Sequence, residues 1–240
     1  MKYLILLFFC VNSANIFSQN NASSENYYNW FDSIIGVNNT NLLNGIEFKE
    51  KYRTLENNSQ YFFSNEFLPG NLIYNGQSYN DVDMKYDIYE DQLIIRLVDN
   101  GGYFAIKLIK ELVESFQIGN HLFLNSSFLQ SKKEDKSAGF CEVLYRDQNI
   151  SFFKKHLNNK QERRNDRFAY TQFIYKQKIL FSLRNKFYDL NSKKDLINTL
   201  PNQKKIINSF YKNKTFLMRS NYEEFLKKLG ENLNENIIKN

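Results

Sequence analysis

The sequence is short of the residues that cross-link or stiffen a chain: 240 residues contain only 2 cysteines, 2 prolines, 2 histidines and 1 tryptophan. Cys10 falls in a leading apolar stretch, so once that stretch is removed Cys141 has no intramolecular disulfide partner. The core must then carry stability without a covalent staple. There is no Gly-rich phosphate loop, no zinc-ligand spacing and no G-x-S-x-G elbow. These absences argue against nucleotide-driven, zinc-templated and α/β-hydrolase chemistry, and no cofactor is expected. Long apolar runs are missing too. Tyr3 to Val11 is about half of the ~20 residues that a spanning helix needs.

That short run, preceded by Lys2 and followed by Ile16-Phe17-Ser18, reads as an export signal over residues 1–18 with cleavage before Gln19. A lipoprotein reading on Cys10 is opposed by Phe8 and Phe9, which are too large for the small residues that normally precede such a cysteine. The expected product is exported, periplasmic or associated with the outer surface, with no transmembrane segment after cleavage. Residues 19–240 are expected to form a single β-rich domain with a helical tail from about residue 192.

Aromatic residues are plentiful, at 16% of the chain. The clearest pattern lies between Asn71 and Asn125. Val82, Met84, Tyr86 and Ile88 alternate with Asp81, Asp83, Lys85 and Asp87, the period of a half-buried strand. Asn75-Gly76, Asp99-Asn100-Gly101-Gly102 and Gly119-Asn120 supply tight turns, so neighbouring strands must pair antiparallel. Beyond them come strands over Phe140–Arg146 and Ile150–Lys155, a charged loop over Asn158–Asp166, and a hairpin of Phe168–Tyr175 with Lys178–Leu183. From Ser192 the period changes to helical. Ser192 with Asp195 makes a capping box, Ser220 with Glu223 suggests another, and Ile206, Ile207, Phe210, Phe225, Leu226 and Leu229 form core-facing stripes. The expected class is α+β: an antiparallel β meander, curled or barrel-like, with C-terminal helices packed on it.

These residues resemble a group of uncharacterised exported proteins of Bacteroidota-type bacteria. The likeness runs through Gly70-Asn71-Leu72-Ile73-Tyr74-Asn75-Gly76, Tyr79, Val82, Met84-Lys85-Tyr86-Asp87-Ile88, Asp91-Gln92-Leu93-Ile94 and Gly139-Phe140-Cys141-Glu142-Val143-Leu144, then the helical tail. This chain departs from the group at Cys141, where an aromatic residue is usual, and near Asp147 and Gln148, where a glycine is. The resemblance implies export and a shared fold, and it implies no activity, substrate or site.

Charge is divided unevenly. Residues 19–125 carry 7 basic and 14 acidic side chains, and residues 126–240 carry 24 and 12. The densest basic run is Lys154, Lys155, Lys160, Arg163, Arg164 and Arg167. Phe152 and Phe153 precede it rather than interleave with it, so base stacking is unsupported and nucleic acid is not an expected partner. An anionic envelope component or another envelope protein is expected instead. A nucleophilic Cys141 would need His121 or His156 as its base, but a small residue between Phe140 and Val143 reads as core. Asp81, Asp83 and Asp87, with Asp91 at the next turn, read as a solvated face rather than a cation loop. The expected function is a non-enzymatic binding or structural role in the envelope. The alternatives are a carrier of an apolar ligand inside a barrel-like sheet and, behind it, a hydrolase.

Overall fold

The computed structural model describes residues 41–99, 102–129 and 138–238. The expected signal over 1–18 and its cleavage point at Ser18 lie outside the described residues. Among the described residues eleven strands form one antiparallel sheet: β1 (Gly45–Glu47), β2 (Leu68–Tyr74), β3 (Gln77–Asp87), β4 (Gln92–Asp99), β5 (Gly102–Leu108), β6 (Val113–Ile118), β7 (His121–Asn125), β8 (Phe140–Tyr145), β9 (Ile150–Arg164), β10 (Ala169–Leu183) and β11 (Lys186–Asp189). Their spatial order is β1-β5-β4-β3-β2-β6-β7-β8-β9-β10-β11, with β1 and β11 at open edges. The expected meander is therefore two meanders, β2 to β5 and β6 to β11, joined where β2 pairs with β6.

The curl follows from one short link. In a flat sheet β5 and β6 would stand four strand spacings apart, roughly 19 Å. Only four residues, including a 3-10 turn at Lys110–Leu112, join Leu108 to Val113. Five residue steps reach about 17 Å when fully extended, and a 3-10 turn is shorter still. The β5-β4-β3-β2-β6 segment must therefore bend round on itself. Tyr86 of β3 accordingly meets Phe140 of β8, with ring centroids 5.8 Å apart, although three strands lie between them in the sheet. Tyr74, Tyr86, Phe116, Phe123 and Phe140 are all fully buried, and Phe116 stacks on Phe123 at 4.8 Å.

Turn chemistry sets the register. Asn75 and Gly76 both take positive φ, 50° and 76°, as a two-residue hairpin turn matched to strand twist requires. In β3 the pairing slips between Gly70↔Val82 and Leu72↔Tyr79, with Asp81 at φ 55°. This bulge turns Tyr79 and Val82, an odd number of residues apart, toward the same buried side.

Four helices follow: α1 (Lys193–Thr199), α2 (Lys204–Asn213), α3 (Thr215–Ser220) and α4 (Tyr222–Ile238). The Asp195 carboxylate accepts the Ser192 N–H at 2.8 Å, as the capping-box reading expects. The last helix is capped differently from expectation. Asn221 Oδ1 accepts the Glu224 N–H at 3.0 Å, and Glu223 is drawn away to Lys154. Leu196, Ile207, Phe225, Leu226, Leu229 and Leu233 are fully buried against Ile150, Phe152 and Phe181 of the sheet. At Gly230 any side chain would collide with the Tyr145 ring, where a Cβ would lie 2.3 Å from Cδ1. Glycine thus lets α4 lie close on β8.

Two stretches differ from the sequence reading. Asn158–Asp166 is not a loop: β9 runs on to Arg164, and β10 is continuous through Lys176 and Gln177 in unbroken register from Ala169↔Arg164 to Leu183↔Ile150. The turn instead sits at Asn165–Phe168, where the Asn165 side chain accepts the N–H groups of Arg167 and Phe168. Asp87 is also not on a solvated face. Residues 60–62 lie over that side of β3, with Phe62 N–H on Tyr86 O and Ile88 N–H on Gln60 O, and they bury Asp87 to 1% exposure.

Candidate functional site

The six expected basic residues all lie on or beside the β9–β10 hairpin, but in two environments. Lys160, Arg163 and Arg164 are exposed on the far half of β9, and Arg167 is exposed in the turn. Lys154 and Lys155 are buried, at 6% and 7% exposure, and do not belong to that surface. The reason is cover: each of the first seven residues of β9, from Ile150 to His156, is buried beneath a neighbouring strand, a helix or residues 58–62.

At the far end Lys160 pairs with Glu162 at 2.9 Å, so part of its charge is answered locally. Arg163 donates to the uncharged side chains of Gln172, at 3.0 Å, and Gln161, at 2.6 Å. Arg164 and Arg167 have no ion-pair partner among the described residues. Arg53 lies over the Phe168 ring at 3.7 Å and adds a fifth exposed cation to this end. Residues 53–58 fasten the outer edge of β10: Thr171 N–H donates to Arg53 O, and Asn58 brackets the Phe173 backbone through both atoms of its amide. The arm is thus held along its length while its charged end stays in solvent.

A second constellation lies where the hairpin enters the sheet. Glu142 on β8 is 4% exposed and is surrounded by donors. One oxygen meets His121 Nδ1; the other meets His156 Nε2 and Lys154 Nζ, each at 2.8 Å. Lys154 also reaches Glu223 of α4 at 2.6 Å, and His156 Nδ1 meets the Tyr175 hydroxyl at 2.7 Å. Burial alone would push the Glu142 carboxyl up, but the hydrogen bonds from His156, Lys154 and His121 outweigh it and hold it down at about 2. For Lys154, burial opposes the charge and the two carboxylates overcome it, so its pKa is raised. Phe62 packs edge-on against both imidazoles, at 5.3 and 4.9 Å. This network ties β7, β8, β9, β10 and α4 together. Its carboxylate is saturated by donors, which suits an anchor more than a proton acceptor.

Cys141 is a core residue, as the sequence reading expects, rather than a nucleophile paired with His121 or His156, and both imidazoles go to the neighbouring Glu142. The Cys141 thiol packs with Leu124, Phe153 and Leu180, and burial pushes its pKa up to about 12. The Asp81–Asp91 group is dispersed as well. Asp83 pairs with Arg96 at 2.6 Å, Asp87 accepts from Gln60 at 2.9 Å, and Asp91 is held by Lys110 and Lys155 at 2.5 and 2.6 Å. Among the described residues no three His, Cys, Asp or Glu side chains are grouped to hold a metal ion, and no helix is long and apolar enough to cross a membrane.

The sequence reading missed Glu142, Tyr175, Glu223 and Arg53. Glu142 did carry a signal, as a lone carboxylate inside the otherwise apolar strand Phe140–Leu144, which calls for buried donors. The others are set by contacts between elements distant in the chain. Comparison with protein-family models, with curated proteins and with solved structures found no match to this chain.

Proposed function

We propose that the chain is an exported, non-enzymatic binding protein of the cell envelope whose contact element is the far end of the β9–β10 hairpin. The observation that carries this reading is that Arg163, Arg164 and Arg167 stand exposed there with no carboxylate partner among the described residues. Unpaired guanidiniums on a braced arm suit an anionic partner, and Arg holds its charge at every physiological pH. The aromatic filling of the sheet interior favours this reading over the carrier of an apolar ligand, which needs room inside. The inert Cys141 and the saturated Glu142 favour it over a hydrolase.

The test compares the parent chain with the triple variant Arg163→Gln/Arg164→Gln/Arg167→Gln in cosedimentation with phosphatidylglycerol-containing vesicles and retention on an acidic polysaccharide. Each cation near an anionic surface contributes about 1 kcal/mol, so the triple variant should bind roughly a hundredfold more weakly at low salt. Parent binding should itself weaken as salt rises. Failure of the parent to bind either surface, or equal binding by the variant, would overturn the reading.

A further inference from the structure

The sheet face turned away from the helices carries a cavity of about 640 Å³, within the range of small-ligand sites. Its lining includes Arg146, Asp147 and Gln148 in the β8–β9 turn, Ser151 and Phe153 on β9, Ser182 on β10 and Asn185 in the β10–β11 turn. Strand alternation produces this placement. Ile150, Phe152 and Phe181 point to the helices, so Ser151, Phe153 and Ser182 point the other way.

Ser151 and Ser182 stand directly opposite each other in the ladder, beside the apolar cluster of Leu124, Cys141, Phe153 and Leu180. Two hydroxyls set into such a surface lose free energy unless they find partners. Ser151 finds them in the backbone of Asp147, accepting from its N–H at 3.2 Å and donating to its carbonyl at 3.1 Å. Ser182 is only 6% exposed and has no hydrogen-bond partner among the described residues, and it lines the cavity.

At the rim, Arg146 is exposed and has no ion pair among the described residues. The adjacent Asp147 is not its counter-ion. That carboxylate accepts instead from Asn234 Nδ2 at 2.6 Å, the Tyr145 hydroxyl at 3.1 Å and the Gln148 N–H at 2.6 Å. The cavity therefore combines one guanidinium without an ion pair, two amides and a hydroxyl, beside an Asp147 carboxylate that three donors already hold.

We propose that this cavity binds a hexuronate, a sugar ring bearing hydroxyls and a single carboxylate. Arg146 answers the carboxylate, and Gln148, Asn185 and Ser182 answer hydroxyls. A fatty acid would leave the amides and Ser182 unanswered, and a neutral hexose would leave the guanidinium unused. The site is separate from the hairpin end.

Ligand-observed NMR titration of the full chain with glucuronate, galacturonate and glucose tests this. At least one uronate should bind saturably and about tenfold more tightly than glucose, as a charge-assisted hydrogen bond allows. Arg146→Gln should abolish that preference. Ser182→Ala should weaken the uronate several-fold while its melting temperature stays at the parent's, because no hydrogen bond to the described residues is lost. The hairpin triple variant should bind the uronate like the parent. Absence of saturable binding by both uronates, indifference to both cavity substitutions, or loss in the hairpin variant alone would each overturn the proposal.

Discussion

The two halves of strand β9 begin from similar chemistry and end in opposite environments. Lys154 and Lys155 lie among residues that are all buried, while Lys160, Arg163 and Arg164, a few positions on, face solvent. Lys154 is committed to Glu142 and Glu223, and Lys155 to Asp91 and the Phe140 carbonyl. Of the outer cations, only Lys160 has a carboxylate partner among the described residues. The near half is thus a structural joint at which charge neutralises charge under cover. The far half is a surface whose charge is left over. A cation's meaning here is decided by what lies on top of it.

The contrast is broken most severely by removing the cover. Truncation after Asn191 deletes Leu196, Ile207, Phe225, Leu226, Leu229 and Leu233 from the core over Ile150, Phe152 and Phe181. Each large side chain buried contributes about 1.5–3 kcal/mol, so the loss should exceed the ~5–15 kcal/mol margin of a domain. The product should aggregate or melt without cooperativity in calorimetry. Replacing residues 163–170 by an Asn-Gly turn should instead leave a cooperative transition near the parent's. A truncated chain that keeps the parent's melting temperature would show that the helices do not hold the near half in place.

Single lysines should sharpen the same contrast. Lys154→Ala leaves Glu142 without its buried ammonium partner and should cost about 3–5 kcal/mol in denaturant unfolding. Lys160→Ala should leave the unfolding midpoint unchanged, since its pair with Glu162 sits in solvent. Equal effects of the two substitutions would erase the distinction drawn between the halves.

The smallest effect concerns pH and sets Glu142 against Asp87. Donors hold the Glu142 carboxyl at about 2, so its contribution is complete above the ordinary 4.5 and is lost as pH falls toward 2. For Asp87, burial is the main cause of a pKa raised to about 6, although the Glu90 and Tyr89 N–H groups pull it down. Its ionisation therefore penalises the fold, and stability should decline as pH rises from about 3.8 to 6. A two-unit shift corresponds to about 3 kcal/mol. Asp87→Asn should flatten the stability profile between pH 4 and 6 and leave the acid limb below 4.5 in place. An unchanged slope between pH 4 and 6 would show that Asp87 is not the group responsible.

Much of the fold was legible because it rests on local rules. Asn75-Gly76 announced a hairpin, the alternation of Val82 to Ile88 announced a strand, and the stripes after Ser192 announced helices that bury one side. The β10–β11 turn was not legible, because Arg184 and Asn185 adopt positive φ without a glycine to advertise it. The length of the β9–β10 hairpin was hidden by charge, since Asn158–Arg164 reads as loop until its long pairing with β10 is seen.

By itself, then, the sequence determined the α+β class, the antiparallel pairing and the stock of cations on one hairpin, since periodicity and turn chemistry act over a few residues. Tertiary structure alone decided that Lys154 and Lys155 are buried, that both histidines turn to Glu142 rather than Cys141, and that Ser182 faces a cavity. Those outcomes depend on which distant segment covers a given face. A strand's own period says only that it has two faces, not what will be laid upon each.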